Sequence, residues 1–214
     1  MTEETQSLNA AFVEEGAFSV SFFQKRKHHK YREIAAPVLP GVVADTHAHL
    51  EMLKNPAAEL AKCACHNVRF VCAMCDPAED SHTTFDNLEM WQQDAQGILE
   101  EAGLDSYREA IPHLRIAMGV HPHNAKMWDM RMEHTLMQRL ADPRVCALGE
   151  VGLDYHYDLS PRAMQRGVFR RQVQLAKMAG LPLILHMREA HEEGLAILED
   201  EGFPWGIAAL LQLG

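Results

Sequence analysis

Asp45-Thr46-His47-Ala48-His49-Leu50 sets two imidazoles two residues apart, directly after the apolar run Val42-Val43-Ala44. If that run is a buried strand, alternation of side chains turns His47 and His49 to one side. Two neutral imidazoles converging at a strand end make half of a divalent metal site, and Asp45 is near enough to orient one of them. The same six residues could form an Asp/His-rich surface turn, so the rest of the chain has to supply the other ligands. It offers several. His121-Pro122-His123 follows the apolar run Leu114–Val120, Glu150 follows Val145–Gly149, and His186 follows Leu181–Leu185, with Arg188 two residues on.

The elements that would position these groups follow from local signals. Asn55-Pro56 is an N-cap with proline at the first helical position and opens a helix to about Asn67. Val68–Met74 reads as a second strand. Phe85, Leu88, Ala95 and Leu99 form a helical stripe between Thr84 and Glu101 that Gly103 can end. Trp128, Met132, Leu136 and Leu140 share a further helical face. Ser160-Pro161 caps a helix with Val168, Phe169, Val173 and Ala176 inward and Gly180 as its stop. A last helix, about Glu189 to Glu201, has Leu195 and Leu198 inward, and Ile207–Leu211 is a candidate sixth strand. Strand and helix alternate with short connections, the pattern of a parallel sheet built from βαβ units. No G-x-G-x-x-G loop follows the first strand, which removes the main support for a dinucleotide fold. In a (β/α)8 barrel the C-terminal ends of the strands share one face, and His47, His49, His121, Glu150 and His186 all stand at such ends. The expected fold class is therefore α/β, of the (β/α)8 TIM-barrel type.

Composition sets the bounds. The chain has 214 residues, 47% hydrophobic and 23% charged, which suits an ordinary globular domain. No apolar stretch is long enough to span a membrane and no signal-peptide layout opens the chain, so a cytoplasmic location is expected. Five cysteines, odd in number and mostly clustered, point to reduced thiols. Cys63, Cys65, Cys72 and Cys75 with His66 invite comparison with a zinc knuckle, but their spacing matches no usual finger, and small buried hydrophobes explain them better. A net charge of -10 argues against broad affinity for nucleic acid, unless bound cations invert the local field. Residues 1 to 40 read as an N-terminal extension whose basic run, Lys25 to Lys30, is a solvated face.

Four motifs carry a family resemblance: Asp45-Thr46-His47-Ala48-His49-Leu50, Gly119-Val120-His121-Pro122-His123, Gly149-Glu150-Val151-Gly152-Leu153-Asp154-Tyr155 and Leu181-Pro182-Leu183-Ile184-Leu185-His186-Met187-Arg188. In this order they resemble the TatD family of metal-dependent hydrolases, so that residues 41–214 form a TatD-like barrel. The resemblance implies two divalent ions (Zn, Mg or Mn), with His47 and His49 on one, His186 on the other and Glu150, the expected catalytic carboxylate, bridging both. It implies that His121, His123, Asp154 and Arg188 line the pocket as substrate-binding or orienting groups. It implies hydrolysis of phosphodiester bonds in DNA by a metal-activated water beside two cations. The resemblance implies exonuclease action. The same chemistry could attack an ester or amide such as an aminoacyl-tRNA bond, and a non-catalytic fragment is a third reading.

The resemblance also implies a later His-Cys-Phe type strand end and a Glu-Thr-Asp type motif, whereas this chain reads Gly206-Ile207-Ala208-Ala209-Leu210-Leu211-Gln212-Leu213-Gly214. A barrel of this kind takes about 250 residues. The expectation is thus a C-terminally truncated member with about five to six of eight βα units. Exposed strand edges would then favour self-association, and activity would be reduced.

Overall fold

The computed structural model describes residues 23–27, 30–34, 40–79, 83–203 and 208–211, with backbone alone at 23–27, 30–34 and 208–211. Strands β1 (Phe23–Lys27) and β2 (Lys30–Ile34) pair antiparallel, Phe23 opposite Ile34. From there strand and helix alternate: β3 (Val43–Ala48), α1 (Pro56–Cys65), β4 (Val68–Cys75), α2 (Thr83–Glu101), β5 (His113–Met118), α3 (Met130–Arg139), β6 (Val145–Asp154), α4 (Arg162–Ala179), β7 (Leu183–Arg188), α5 (His191–Asp200) and β8 (Ala208–Leu211).

The order across the sheet is β3-β4-β5-β6-β7-β8, the order of the chain itself. Pairing is parallel from β5 through β8. A doubly wound sheet reverses its strand order partway. This one does not, and sequential parallel strands joined by helices are the arrangement of a (β/α)8-type barrel. Six of the eight strands such a barrel needs lie among the described residues.

Two compact units share these elements. One takes the described residues up to Thr46, Met52–Val71 and Asn87–His113. Its buried side chains include Leu60, Ala61 and Ala64 of α1 and Ala95 and Leu99 of α2. Helix α1 starts where its cap requires: the Asn55 side chain accepts from Ala58 N at 3.0 Å, with proline next. The other unit takes His47–Glu51, Cys72–Asp86 and Leu114 onward. Its core is built from Met118, Leu148, Leu153 and Leu183 on strands and Leu136, Phe169, Val173 and Ile197 on helices. Gly180 closes α4 at φ +67°, the left-handed stop that its position after the helix calls for.

Several local expectations change. β3 is not a buried strand: Ala44, Asp45 and Thr46 are exposed and Val43 and His47 only half-buried, because β3 stands first in the sheet order and has one neighbouring strand among the described residues. β6 does not stop at Gly149 but runs ten residues to Asp154, so Glu150 lies within it. Its partner β7 likewise includes His186 and Arg188. Leu148 pairs with Leu183 and Val151 with Leu185, so three steps on β6 oppose two on β7. The extra residue makes a bulge at Gly149-Glu150, the kind of irregularity that re-aims a side chain inside a ladder. Ser160 is not the side-chain cap of α4. Its Oγ instead donates to His123 O at 2.7 Å and accepts from Lys126 N at 3.0 Å. Leu195 faces outward, 44% exposed, while Ile197 and Leu198 fill the inner side of α5.

Candidate metal centre

The chemistry-bearing side chains gather in the second unit. His47 Nε2 and His49 Nε2 are 3.2 Å apart, so the two-residue spacing does bring both rings to one point. His47 Nε2 also lies 3.3 Å from Glu150 Oε2. The other side of His49, its Nδ1, is 3.1 Å from Glu51 Oε1, and that contact raises the pKa of His49. Thr84 Oγ1 reaches the second oxygen of Glu51.

A second cluster stands on the other oxygen of the same glutamate. His186 Nδ1 is 2.8 Å from Glu150 Oε1 and 3.1 Å from His121 Nε2. His186 Nε2 lies 3.1 Å from Asp154 Oδ2, and His123 Nε2 reaches that oxygen at 2.7 Å. The ring centroids of His121 and His186 are 4.4 Å apart and those of His121 and His123 4.3 Å. Two groups of ligand-type atoms, each within 4.8 Å of one another, therefore emerge among the described residues: His47, His49 and Glu150, and His121, His123 and His186. Neither contains a cysteine. The knuckle suggested by Cys63, Cys65, Cys72 and Cys75 does not form a ligand group; burial pushes the Cys63 and Cys65 thiols up to about 11, away from the thiolate form that binds metal.

Electrostatics follow from this packing. Burial opposes the charge on Glu150, yet the bonds from His186 and His47 hold its carboxyl well below the usual range. His186 is also raised against the effect of burial, through Glu150 and then Asp154. His121 goes the other way: burial, and then the neighbouring His186, lower it to about 3, so its ring is neutral at neutral pH. Asp154 is wholly buried, and although burial works against its charge, Tyr157 N–H, His123 and His186 bring it down to about 2.

The donor sets fit divalent cations. Zinc holds imidazole nitrogens at about 2.0–2.1 Å, and the edge of a tetrahedron of that radius is about 3.3 Å. The separations 3.2 Å for His47 to His49 and 3.3 Å for His47 to Glu150 are such edges. In the second cluster His121 Nδ1 accepts from His123 N–H at 3.2 Å, so in the neutral ring Nε2 carries the proton and points it towards His186 Nδ1, a bond that a cation on His121 would have to replace. A ring nitrogen bonded on its far side by a carboxylate, as His186 is by Asp154, is the arrangement that orients metal-binding histidines.

Supports for these groups were not legible in the sequence. Asp76 Oδ2 accepts from His121 N–H at 2.9 Å and from Asn124 Nδ2 at 2.9 Å, and Asn124 also donates to Glu79 Oε1 at 2.8 Å. Gln172 holds the backbone of Val120 by both its N–H, at 2.7 Å, and its carbonyl, at 2.9 Å. Gln165 does the same for Asp154, at 2.8 Å and 3.0 Å. Their signal was two glutamines seven residues apart on the buried stripe of α4, where an apolar side chain was the default.

The expected substrate-facing residues divide. His121 and His123 join His186 in a ligand-type group. The Asp154 carboxylate is enclosed: its Oδ2 faces His123 and His186, and its Oδ1 accepts from His156 N–H at 3.0 Å and Tyr157 N–H at 2.9 Å, with nothing exposed. Such contacts suit the orienting one of the two parts expected for it. Arg188 is half-buried, with its guanidinium 4.6 Å from the Tyr157 ring centre, and Tyr157 is 53% exposed.

Comparison with known proteins follows the same lines. The family model described as TatD related DNase matches residues 44–208. The Bacillus subtilis protein named uncharacterized metal-dependent hydrolase YabD is 46% identical over 96 residues, 44% of this chain and 37% of that protein. The 3'-5' ssDNA/RNA exonuclease TatD of Escherichia fergusonii is 35% identical over 94 residues, 44% of this chain and 35% of that one. The human 3'-5' RNA nuclease TATDN2 is 44% identical over 84 residues, 39% of this chain and 11% of that one. Among solved structures, YJJV, a TatD homolog from Escherichia coli K12, superposes with TM-score 0.54 at 26% identity, covering 75% of this chain and 56% of that one. The phosphotriesterase homology protein of Escherichia coli, at 13% identity and TM-score 0.53, shares the fold, over 80% of this chain and 62% of that one. The chain thus spans little more than a third of the first curated relatives and about half of YJJV.

Proposed function

The chain belongs to the TatD family, whose model covers residues 44–208, and on that premise we propose that it hydrolyses phosphodiester bonds in single-stranded nucleic acid with two divalent ions. The single observation behind this reading is the placement of Glu150, with Oε2 3.3 Å from His47 Nε2 and Oε1 2.8 Å from His186 Nδ1. One carboxylate presented to two imidazole clusters suits a ligand shared by two cations. His47, His49 and Glu150 would hold one ion, and Glu150 and His186, with His121 and His123 beside them, the other. Bound there, divalent ions supply a water ionisable near neutral pH and positive charge for a phosphate.

The chain's own residues do the positioning. Asp154 fixes the rings of His186 and His123. Glu51 turns His49 so that its Nε2 faces His47. Glu150 remains ionised at neutral pH because His186 and His47 hold its carboxyl low despite burial. Arg188 places a cationic fork next to the cluster, suited to a neighbouring phosphate, and Tyr157 beneath it offers an aromatic face to a base.

The test is release of nucleotides from short single-stranded DNA and RNA with magnesium, manganese or zinc, run beside His49→Ala. Release that the variant loses supports the reading. Equal release from both, or none from either under any of the three metals, contradicts it.

A further inference from the structure

Away from the histidine clusters, two thiols meet. Cys72 on β4 and Cys146 on β6 are separated by 74 positions in the chain, yet their sulfurs are 3.8 Å apart. Neither is in a disulfide, and Cys72 is buried and Cys146 half-buried. The backbone explains how Cys146 gets there. Ile116 of β5 pairs with Val145 and Ala117 with Ala147, so Cys146 is the extra residue of a bulge and has no partner on β5. A bulge turns its residue out of the regular alternation. Here it brings Cys146 to the residue two strands away in the sheet order.

The two thiols differ in character. The hydrogen bond from Cys72 lowers Cys146 to about 7 against the effect of burial, with Arg115 helping, so a large share is thiolate at neutral pH. Cys63 and Cys65 are pushed the opposite way by burial. A half-exposed, low-pKa cysteine beside a second cysteine is the arrangement of a thiol that oxidises first and is then resolved by its neighbour.

We propose that Cys146 and Cys72 form an oxidation site, converted by a hydroperoxide into an intramolecular disulfide. The Cys146 thiolate attacks one peroxide oxygen, the O–O bond breaks, and hydroxide leaves and takes a proton, giving Cys146 sulfenic acid. Cys72 sulfur then attacks Cys146 sulfur, the S–OH bond breaks, and the hydroxyl leaves as water with the proton of Cys72. Two thiols lose two electrons in total and one hydrogen peroxide becomes two waters. The sulfurs must close by about 1.8 Å to reach a disulfide bond length, and because the two strands are next-nearest neighbours, about 10 Å apart at the usual spacing, their backbones must draw in as the bond forms. A dithiol reductant reverses the product.

The experiment treats the full chain with a series of hydrogen peroxide concentrations, alkylates remaining thiols under denaturing conditions, and maps the peptides by mass. The expected result is a cross-linked pair containing Cys72 and Cys146 that appears before Cys63, Cys65 or Cys75 is modified and disappears with dithiothreitol. Cys146→Ser removes the cross-link and leaves Cys72 alkylatable. Cys72→Ser leaves Cys146 as a sulfenic acid that dimedone captures. As a readout on the unsubstituted protein, iodoacetamide labels native Cys146 with a midpoint near pH 7. Oxidation of another cysteine first, a different partner for Cys146, or the same cross-link at equal yield from urea-unfolded chain overturns the proposal.

Discussion

Glu150 is the residue on which both histidine clusters depend, and its contacts set what its removal does. In Glu150→Gln the side chain keeps its size but loses the negative charge that faces His47 and His186. We expect metal affinity, by titration calorimetry, to fall by more than the roughly 10- to 100-fold that loss of an orienting partner costs. Asp154→Asn is the milder change, because it leaves the ligands in place and weakens only the hold on His123 and His186. Its expected loss is in that range of about 10- to 100-fold, and unchanged affinity would remove Asp154 from the site. The sequence made His47, His49, Glu150 and His186 visible because strand ends followed by histidine or glutamate are unusual and because the motifs came in a recognisable order. It left Asp76, Asn124 and Glu79 unmarked, since the partners that join them lie up to 48 positions apart and only the folded backbone brings them together. For the same reason the sequence left Asp154 between a substrate-binding and an orienting part, and its burial and four donors favour the second.

Among the elements, β6 carries the most constraint. Gly152 pairs with His186 across the ladder at φ +149°, and a Cβ there would stand 2.0 Å from His186 O. Gly152→Ala should therefore destabilise the fold by on the order of 3 kcal/mol, read from denaturant unfolding, and move His186 with it. The start of the same strand is anchored differently. Asp142 accepts from Arg144 N–H, Nε and Nη2 at 2.9, 3.0 and 3.0 Å, while Arg144 donates to Phe85 O and lies 4.6 Å over the Phe85 ring. These bonds lower the carboxyl of Asp142 below its ordinary 3.8. A depressed carboxylate contributes stability that is present above the unfolded value and lost as pH falls through the folded one. Asp142→Ala is expected to lower stability by about 1 kcal/mol at neutral pH, a gap that narrows below pH 4 in thermal melts. The elements themselves were legible from caps and apolar runs, as Asn55 and Gly180 illustrate. Their ends were not: β6 continues through Glu150 because a bulge, which no periodicity announces, absorbs the change of direction.

Strand order across the six-stranded sheet follows chain order, and that alternation was readable from the sequence because apolar runs alternate with stripes of helical period. What alternation could not give was exposure, as the first strand of the sheet shows by leaving Ala44 and Thr46 open. If divalent ions occupy the two clusters, they stabilise the folded chain by mass action, about 2.7 kcal/mol for each site at a free concentration of 100 Kd. Melting temperature should rise with added zinc or manganese, return with a chelator, and rise less in His49→Ala; an unchanged melt on metal addition would leave the clusters without a bound cation. One feature of α4 reaches further than its own contacts. Gln165 and Gln172 each take both backbone groups of a residue on a different segment, Asp154 and Val120, as an adjoining strand would. The segments bearing His123 and Tyr157 are therefore tethered to one rod, two turns apart, and neither can breathe alone. Hydrogen exchange at the Val120 and Asp154 amides would then proceed at one common rate, set by the lifting of that helix.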